Sequence, residues 1–310
     1  MRDQALAPPP QSDVIGAAAP SQPRVWREVV IPLLLCAPGL FVLVAFFVVP
    51  LGDMFVLSFY RYSRTLGITD EITLDNYVNF LTDSFYLELL FRTLKLSALT
   101  TLTTLVVGYP IAAHFVQARG RSRAYLTLVI LSPLMVSVIV RTYGWLVILG
   151  PTGVINSLLQ YLGVTQGPIR LLFTELAVVL GLTHIFLPFM VLSIASALQN
   201  IDPALSLAAR NLGAGGTTVF LRILLPLSKP GILAGSLLVF SLSNSAFVTP
   251  ALLGGQGSQV LSVLAYQQNL VLLNWPFGAA IAVILLAIVL TGVVLYTRAL
   301  ERDRVMGAIQ

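Results

Sequence analysis

Apolar residues fill six long stretches of the chain, and polar residues gather in the segments between them. Each stretch is close to the length of about 20 residues that an α-helix needs to cross a bilayer. None has the alternation typical of barrel strands, and only helices and closed barrels satisfy every backbone polar group in lipid. The pattern therefore predicts an all-α membrane protein with six transmembrane helices, at residues 31–51, 93–117, 124–149, 175–198, 231–253 and 276–296.

Basic residues collect on alternate polar segments, and this asymmetry predicts the orientation of the helices. One set of segments holds Arg2, Arg24, Arg27, Arg119, Arg121, Arg123, Arg210, Arg222, Lys229, Arg298, Arg302 and Arg304. The opposite set holds Arg61, Arg64 and Arg170, with Arg92 and Lys95 at a helix entrance. Because short cytoplasmic loops carry the excess of arginine and lysine, both termini and the loop 199–230 are expected in the cytoplasm.

Three further segments have patterns of their own. Residues 1–28 are rich in Pro, Ala and Ser without periodicity, which is typical of a disordered tail. Residues 73–93 have apolar side chains at helical spacing and are expected on the outer membrane surface. Residues 150–164 predict a turn followed by a short helix.

The loop 199–230 contains a well-marked short helix. Asp202 suits the N-cap, and Pro203 suits the first helical position, where its missing N–H costs nothing. Gly213 suits a left-handed stop at the end of the helix. Between them, Ala208 and Ala209 lie at the centre of an apolar stripe. A second helix is expected from about Thr217 into Leu225 and Pro226, where the next span begins.

Two interpretations of this short helix stay open on spacing alone. It could lie on the lipid surface or on its own bundle, as short amphipathic helices usually do. Alternatively, its slim face of small residues could fit a groove on a cytoplasmic partner. The stripe has alanine and leucine but no Trp or Phe to anchor it among lipid headgroups.

Composition supports a membrane protein and excludes several classes of chemistry. The chain is 57% hydrophobic and 10% charged, with a mean hydropathy of +0.89, whereas soluble domains are about 25% charged. The net charge of +5 comes from residues that flank the spans, so no nucleic-acid partner is expected. One cysteine and two histidines predict neither a disulfide nor a metal site, and no cofactor or catalytic constellation is expected.

A few polar side chains fall inside or beside the predicted spans, where ionisable groups are rare and often functional. Arg141, followed by Tyr143 and Trp145, could snorkel outward or line a solute path, and Asp53 follows a bend near the end of the first helix. Asn244 could face a cavity or bond to another helix. His184 is expected to make a hydrogen bond to a neighbouring helix.

The loop resembles the cytoplasmic motif of ABC importer permeases, which is Glu-Ala-Ala, three residues, Gly, nine residues, Ile, one residue, Leu-Pro. Ala208 and Ala209 match the alanines, and Gly213 matches the glycine. The remaining matches, all in register, are Ile223, Leu225 and Pro226. Position 207 is leucine, so a salt bridge from the motif's glutamate is not expected here. The resemblance implies that this loop docks on an ABC ATPase.

Other stretches extend the resemblance over roughly 77–296. The segment "RTLKLSALTTLTTLVVGYPIAAHF" resembles the opening of the permease domain, and "VRTYGWLVILGPTGVINSLL" and "NWPFGAA" resemble the spermidine/putrescine-type subfamily. This implies a permease domain at 77–297, after a first helix and outer-loop start at 29–76 and before a cytoplasmic tail at 298–310. It also implies a bacterial inner-membrane importer with ATPase subunits, a second, non-identical permease, surrounding lipid and an extracytoplasmic solute-binding protein. The substrate it implies is a polyamine, spermidine or putrescine, or a related small solute.

Two other classes of function compete with an importer permease. A stand-alone secondary carrier or channel needs an ion-coupling site within the bilayer, and the spans lack a cluster of acidic residues for it. A membrane-embedded enzyme needs paired carboxylates, a Ser–His pair or a metal site, and none is evident. The chain also lacks the G-x-x-x-x-G-K-[ST] phosphate loop, so if transport uses ATP, a partner must hydrolyse it.

Overall fold

The computed structural model describes residues 31–307, which form helices and one short hairpin. Strands β1 (Tyr60–Ser63) and β2 (Gly67–Ile72) pair in antiparallel register. The α-helices of the first half are α1 (Ile31–Leu43), α2 (Val49–Leu57), α3 (Asp75–Thr82), α4 (Ser84–Gln117), α5 (Gly120–Met135), α6 (Val138–Leu149) and α7 (Val154–Tyr161). Those of the second half are α8 (Glu175–Gln199), α9 (Pro203–Asn211), α10 (Gly216–Val219), α11 (Leu225–Leu227), α12 (Lys229–Ser245), α13 (Val248–Leu253), α14 (Leu261–Tyr266) and α15 (Trp275–Gly307).

Short π turns link several of these helices into longer rods. Val44–Val48 joins α1 to α2, Phe220–Leu224 joins α10 to α11, and Gln267–Val271 continues α14. Five helices within residues 31–307 are long and apolar enough to cross a membrane, and a sixth span results if the bent pair Gly216–Leu227 and Lys229–Ser245 counts as one. The all-α membrane class expected from the sequence is confirmed.

The chain divides into two compact units, with the boundary between Asp53 and Met54. The first unit contains the apolar helix α1 and most of its continuation through α2. The second unit contains the end of α2, the hairpin and helices α3 to α15. The predicted domain start at residue 77 stays a prediction, and the predicted tail 1–28 lies outside the described residues.

Helix α8 lies at the centre of the second unit, packed against α4 and α12. Glycines bring the backbones together: a Cβ on Gly108 would lie 3.2 Å from Met190 Cγ, and a Cβ on Gly235 would lie 2.8 Å from Met190 Sδ. Small residues at helix contacts are the usual means of close packing within a membrane. The α4, α8 and α12 bundle is therefore a tight, rigid core.

Two spans that the sequence predicts as single helices are broken. The predicted helix 124–149 divides into α5 and α6 around Val136 and Ser137, just after Pro133. The predicted helix 231–253 divides into α12 and α13 at Ala246 and Phe247. Proline removes a backbone donor and clashes with the carbonyl four residues earlier, and Ala246 stands four residues before Pro250. The Ser262 hydroxyl donates to the freed Ala246 carbonyl at 2.6 Å, which stabilises the break.

Other predicted boundaries also moved. The span predicted from residue 93 begins at Ser84, because the second half of the predicted surface segment 73–93 joins α4, while α3 is a separate helix in its first half. The short helix predicted within 150–164 is confirmed as α7. Helix α15 continues through Gly307 into the segment predicted as a tail.

Candidate functional site

Helix α9 begins with the cap that its sequence predicts. The Asp202 carboxylate accepts a hydrogen bond from the Ala204 backbone N–H at 2.8 Å, and Pro203 occupies the first turn. A capping carboxylate satisfies one of the backbone donors that a helix start leaves free. The start of α9 is therefore fixed by local sequence rather than by packing.

The end of α9 is fixed as firmly as its start. Gly213 has a φ of +85°, the left-handed conformation that favours glycine. Its N–H donates to the Arg210 carbonyl at 2.9 Å, and the Ala214 N–H donates to the Ala209 carbonyl at 3.0 Å. This pair of bonds is the Schellman motif, so the predicted glycine stop is confirmed.

Most of the surface of α9 is exposed. None of its residues is buried. Leu207 is 61% exposed, and Leu212, the first residue after the helix, is 89% exposed. Ala208 is exposed and Ala209 is half-buried. A short, slim helix whose apolar side chains are mostly exposed is suited to a groove on another protein.

The second half of the loop joins this helix to the bundle. Ile223 and Leu225 are half-buried and Pro226 is exposed, and Leu225 packs against the core around α8. The helical run then bends by 65° before α12. Ser228 stands at this bend, fully buried, and its hydroxyl donates to the Leu225 carbonyl at 3.1 Å.

Tyr109 of α4 holds the bend, a pairing with the loop that no pattern in the sequence indicates. Its hydroxyl lies 2.9 Å from the Ser228 hydroxyl, and its ring meets the Phe220 ring edge-on at 5.2 Å. Both partners belong to the loop or its junction with α12. The loop and the long helix α4 are therefore joined directly by side-chain contacts.

The polar residues predicted inside the spans lie at different sites in the structure. Trp145 of α6 donates from its indole N–H to His184 Nδ1 of α8 at 3.2 Å, which confirms the interhelical bond expected for His184. Arg141 lies one turn before Trp145 on the same helix, and its buried Nε and Nη1 atoms have no hydrogen-bond partner among residues 31–307. Tyr143 is 54% exposed and does not join them.

Among the polar residues predicted inside the spans, Asn244 has a side chain whose hydrogen-bonding groups are both unpaired within residues 31–307. It is 1% exposed, yet neither its Nδ2 nor its Oδ1 atom has a partner within the described chain. The neighbouring Ser243 hydroxyl is also buried without a partner, and both residues lie just before the break at Ala246. Since buried polar groups are nearly always paired, this point in α12 calls for a polar ligand, water or another chain.

The remaining expected features concern the ends of spans and metal chemistry. Asp53 lies in α2, in the last turns of the first apolar span. Glu175 begins α8 as predicted, and it also pairs with Lys95 Nζ of α4 at 2.6 Å, a contact between distant segments that spacing does not indicate. Within residues 31–307, His, Cys, Asp and Glu nowhere form a group that could hold a metal ion.

Comparisons with known proteins agree on one family. Residues 104–304 match the sequence profile of the family described as binding-protein-dependent transport system inner membrane component. The spermidine/putrescine transport system permease protein PotB of Haemophilus influenzae is 34% identical over 257 residues, covering 83% of this chain and 90% of that protein. Its counterpart in Escherichia coli is 37% identical over 227 residues, covering 73% and 82%.

Solved structures agree on the fold. A chain of a bacterial alginate ABC transporter, crystallised with an alginate pentasaccharide-bound periplasmic protein, superposes with a TM-score of 0.72. The alignment covers 91% of this chain and 98% of that chain at 19% sequence identity. With the match to the family profile and the two permease relatives, this chain belongs to the inner membrane components of binding-protein-dependent transport systems, the permeases of ABC importers.

Proposed function

We propose that this permease forms part of the translocation path of a polyamine importer driven by a separate ATPase. The observation that carries the substrate class is the identity of 34% and 37% to two spermidine/putrescine permeases over most of the chain. The observation that carries the ATPase partner is the exposed, doubly capped helix α9. ATP hydrolysis belongs to the partner because the chain has no phosphate-binding loop.

The orientation follows from the distribution of basic residues. With the arginine-rich segments inside, α9 faces the cytoplasm, where an ATPase operates, and both termini are cytoplasmic. The hairpin β1–β2 and α3 then lie on the extracytoplasmic side, where a solute-binding protein delivers its cargo. A second, non-identical permease subunit completes the path across the lipid bilayer.

Within the membrane, we assign the solute path to the polar groups that their own chain leaves unpaired. Asn244 presents both an acceptor and a donor at the break of the fifth span, and an amide oxygen can accept from a primary ammonium. Broken helices at mid-membrane expose backbone groups that can also contact a solute. By the same criterion Arg141 is assigned to the wall of the path. Trp145, which is paired with His184, and exposed Tyr143 stay predictions, as does Asp53 of the first unit.

Purification of the tagged chain in mild detergent tests the assembly. The proposal expects an ABC ATPase and a second permease to be recovered with it. Variant Ala208→Trp, which places a bulky ring on the slim face of α9, should lose the ATPase, whereas a tryptophan at exposed Tyr125, on a different helix, should retain it. Recovery of this chain without any ATPase would contradict the proposal and favour a stand-alone carrier.

A further inference from the structure

Three arginines lie close together where α4 turns into α5. Only two residues separate these helices, and Arg119 is the second of them. Arg121 and Arg123 lie in the first turn of α5. All three side chains are exposed. We call this positively charged surface the arginine patch.

The length of α4 places the arginine patch at a membrane face. Residues 96–117 of this helix contain no Asp, Glu, Lys or Arg. As a helix with a rise of about 1.5 Å per residue, this segment extends about 33 Å, and the hydrocarbon core of a bilayer is about 30 Å thick. The arginine patch follows directly, so it lies at the depth of the lipid headgroups whichever way the chain is inserted.

Acidic side chains accompany the basic residues at the other end of α4 but not the arginine patch. Beside the hairpin, a polar cavity of about 1090 Å³ is lined by Arg61, which contacts Glu71 at 3.1 Å. Arg92 of α4 contacts Glu88 at 2.6 Å. Among the residues whose side chains are described, no carboxylate pairs with the arginine patch. Its positive charge can therefore be matched by an anion from outside the chain.

The stability of α5 does not explain these arginines. Positive side chains in a first turn oppose the helix dipole, because the N-terminus is its positive end. The first turn of α5 has no acidic residue, and the side chain of Arg119 makes no capping hydrogen bond. Arg123 is held close to the end of α4, with its guanidinium 5.5 Å from the centre of the Phe115 ring. Residues that break a local rule of helix stability are expected at functional surfaces.

An apolar stripe continues from the arginine patch along α5. Leu128 and Met135 follow Arg121 at intervals of seven residues, so the three side chains lie on one face of the helix. Leu128 is 69% exposed and Met135 is 83% exposed. Ile130, in contrast, is buried in the core around α8. A cationic group followed by exposed aliphatic side chains matches the phosphate and the acyl chain of a phospholipid.

We propose that the arginine patch and the apolar stripe of α5 bind an anionic phospholipid. Guanidinium groups of Arg119 and Arg121 donate to the phosphate oxygens, a pairing that suits the planar fork of arginine. An acyl chain lies along Leu128 and Met135. The predicted orientation places this site in the cytoplasmic leaflet, where anionic lipids attract basic segments. The inference goes beyond the proposed function, because it depends neither on the solute nor on the ATPase.

Lipid binding to the full chain, purified in its complex in mild detergent, tests the inference. The complex is titrated with dioleoylphosphatidylglycerol, which is anionic, or with dioleoylphosphatidylcholine, which has the same acyl chains and no net charge. Native mass spectrometry counts the bound lipid. The unmodified complex should bind the anionic lipid about tenfold more tightly or better.

Two pairs of substitutions locate the site. Arg119→Gln with Arg121→Gln should weaken binding of the anionic lipid by about fivefold for each arginine removed. The matched control is Arg64→Gln with Arg170→Gln, which removes two exposed arginines from segments predicted on the other side and should leave that affinity unchanged. The thermal midpoint of the Arg119→Gln, Arg121→Gln variant without added lipid should stay the same or rise, since these arginines oppose the helix dipole.

Three results would overturn the inference. Equal affinity of the unmodified complex for the two lipids would leave the arginines with a role in orientation alone. A lower thermal midpoint for the Arg119→Gln, Arg121→Gln variant would mean that they serve the fold. Loss of the ATPase or of the second permease from that variant, with lipid binding unchanged, would make the arginine patch a contact with protein.

Discussion

Gly213 bears the strongest conformational demand of any residue in the loop. The φ of +85° at Gly213 allows the hydrogen bonds that satisfy the carbonyls at the end of α9. A residue with a Cβ at this position would pay about 1–2 kcal/mol for the left-handed backbone conformation. A Cβ on Gly213 would have no other atom within 4 Å, so this cost is conformational rather than steric. Glycine is required by the turn and not by a neighbour.

Substitution of Gly213 should therefore uncouple the two activities of the complex. Variant Gly213→Val is expected to insert in the membrane and keep ATP hydrolysis, while solute uptake falls at least tenfold because α9 is displaced. The matched control is Gly216→Val, since Gly216 has an ordinary φ and equally open surroundings. Uptake at the wild-type level by Gly213→Val would refute the docking role of α9.

Asn244 and Asn156 are both buried asparagines, but their surroundings predict opposite behaviour. The amide of Asn156 donates to the Gly150 and Ile169 carbonyls and accepts from the Ile169 N–H, whereas that of Asn244 has no partner within residues 31–307. Removing the Asn156 amide breaks three hydrogen bonds and leaves the Ile169 N–H without a partner, which costs about 1–3 kcal/mol. Removing an unpaired one costs nothing of this kind.

Replacement of each asparagine by leucine separates a structural role from a role in transport. Asn156→Leu should lower the thermal midpoint in detergent. Asn244→Leu should leave that midpoint unchanged or higher, yet lower uptake about tenfold because the solute loses an acceptor in the path. Normal uptake by a stable Asn244→Leu variant would remove Asn244 from the path.

Among the helices, α4 is linked to the loop through the buried contacts of Tyr109. The Tyr109 and Ser228 hydroxyls are 2.9 Å apart at the 65° bend. A buried hydrogen bond of this type contributes about 0.5–1.5 kcal/mol. Such a value is large enough to bias an equilibrium between two arrangements of the loop about fivefold.

The variant Tyr109→Phe removes that bond but keeps the ring that packs on Phe220. We expect about a fivefold lower yield of transported solute per ATP hydrolysed, measured in proteoliposomes. Tyr125→Phe, at a tyrosine that is 68% exposed, provides the control. An unchanged ratio of transport to hydrolysis would mean that the Tyr109–Ser228 hydrogen bond does not couple the loop to the bundle.

Helix α12 packs closely on α8 at Gly231. A Cβ on Gly231 would lie 2.5 Å from the Ala197 Cβ and 2.7 Å from the Ser193 carbonyl oxygen. Overpacking of this kind costs about 1–3 kcal/mol. Gly231→Ala should therefore unfold at a lower temperature in a detergent thermal assay, and Gly144→Ala, with open space around it, should not. Equal midpoints for the two variants would contradict the packing described for α8.

Sequence reasoning succeeded where structure is specified locally. Asp202, Pro203 and Gly213 set the ends of α9 through their own backbone chemistry, so hydrophobic spacing and capping rules predicted that helix. The proline breaks were missed because proline is often tolerated inside membrane helices, and the rescue of the Ala246 carbonyl by Ser262 is a tertiary contact. Neither the Tyr109–Ser228 contact nor the cavity beside the hairpin could be predicted, since both join segments distant in sequence.

Across the second unit as a whole, candidate binding features lie in three separate places. A polar cavity lies beside the hairpin, an exposed helix lies in the loop between α8 and α12, and the arginine patch lies where α4 turns into α5. The packed bundle of α4, α8 and α12 belongs to the same unit. This arrangement suits a permease subunit that meets partners at more than one surface.

The central claim is that this permease transports its solute when a partner hydrolyses ATP. Uptake in a reconstituted system measures this directly. The assay is uptake of labelled spermidine into proteoliposomes containing the purified complex, with the loaded solute-binding protein on the hairpin face and ATP on the α9 face. We expect uptake that requires both ATP and the binding protein and persists when proton and sodium gradients are collapsed. Uptake that follows an ion gradient and ignores ATP would contradict an ATP-driven permease.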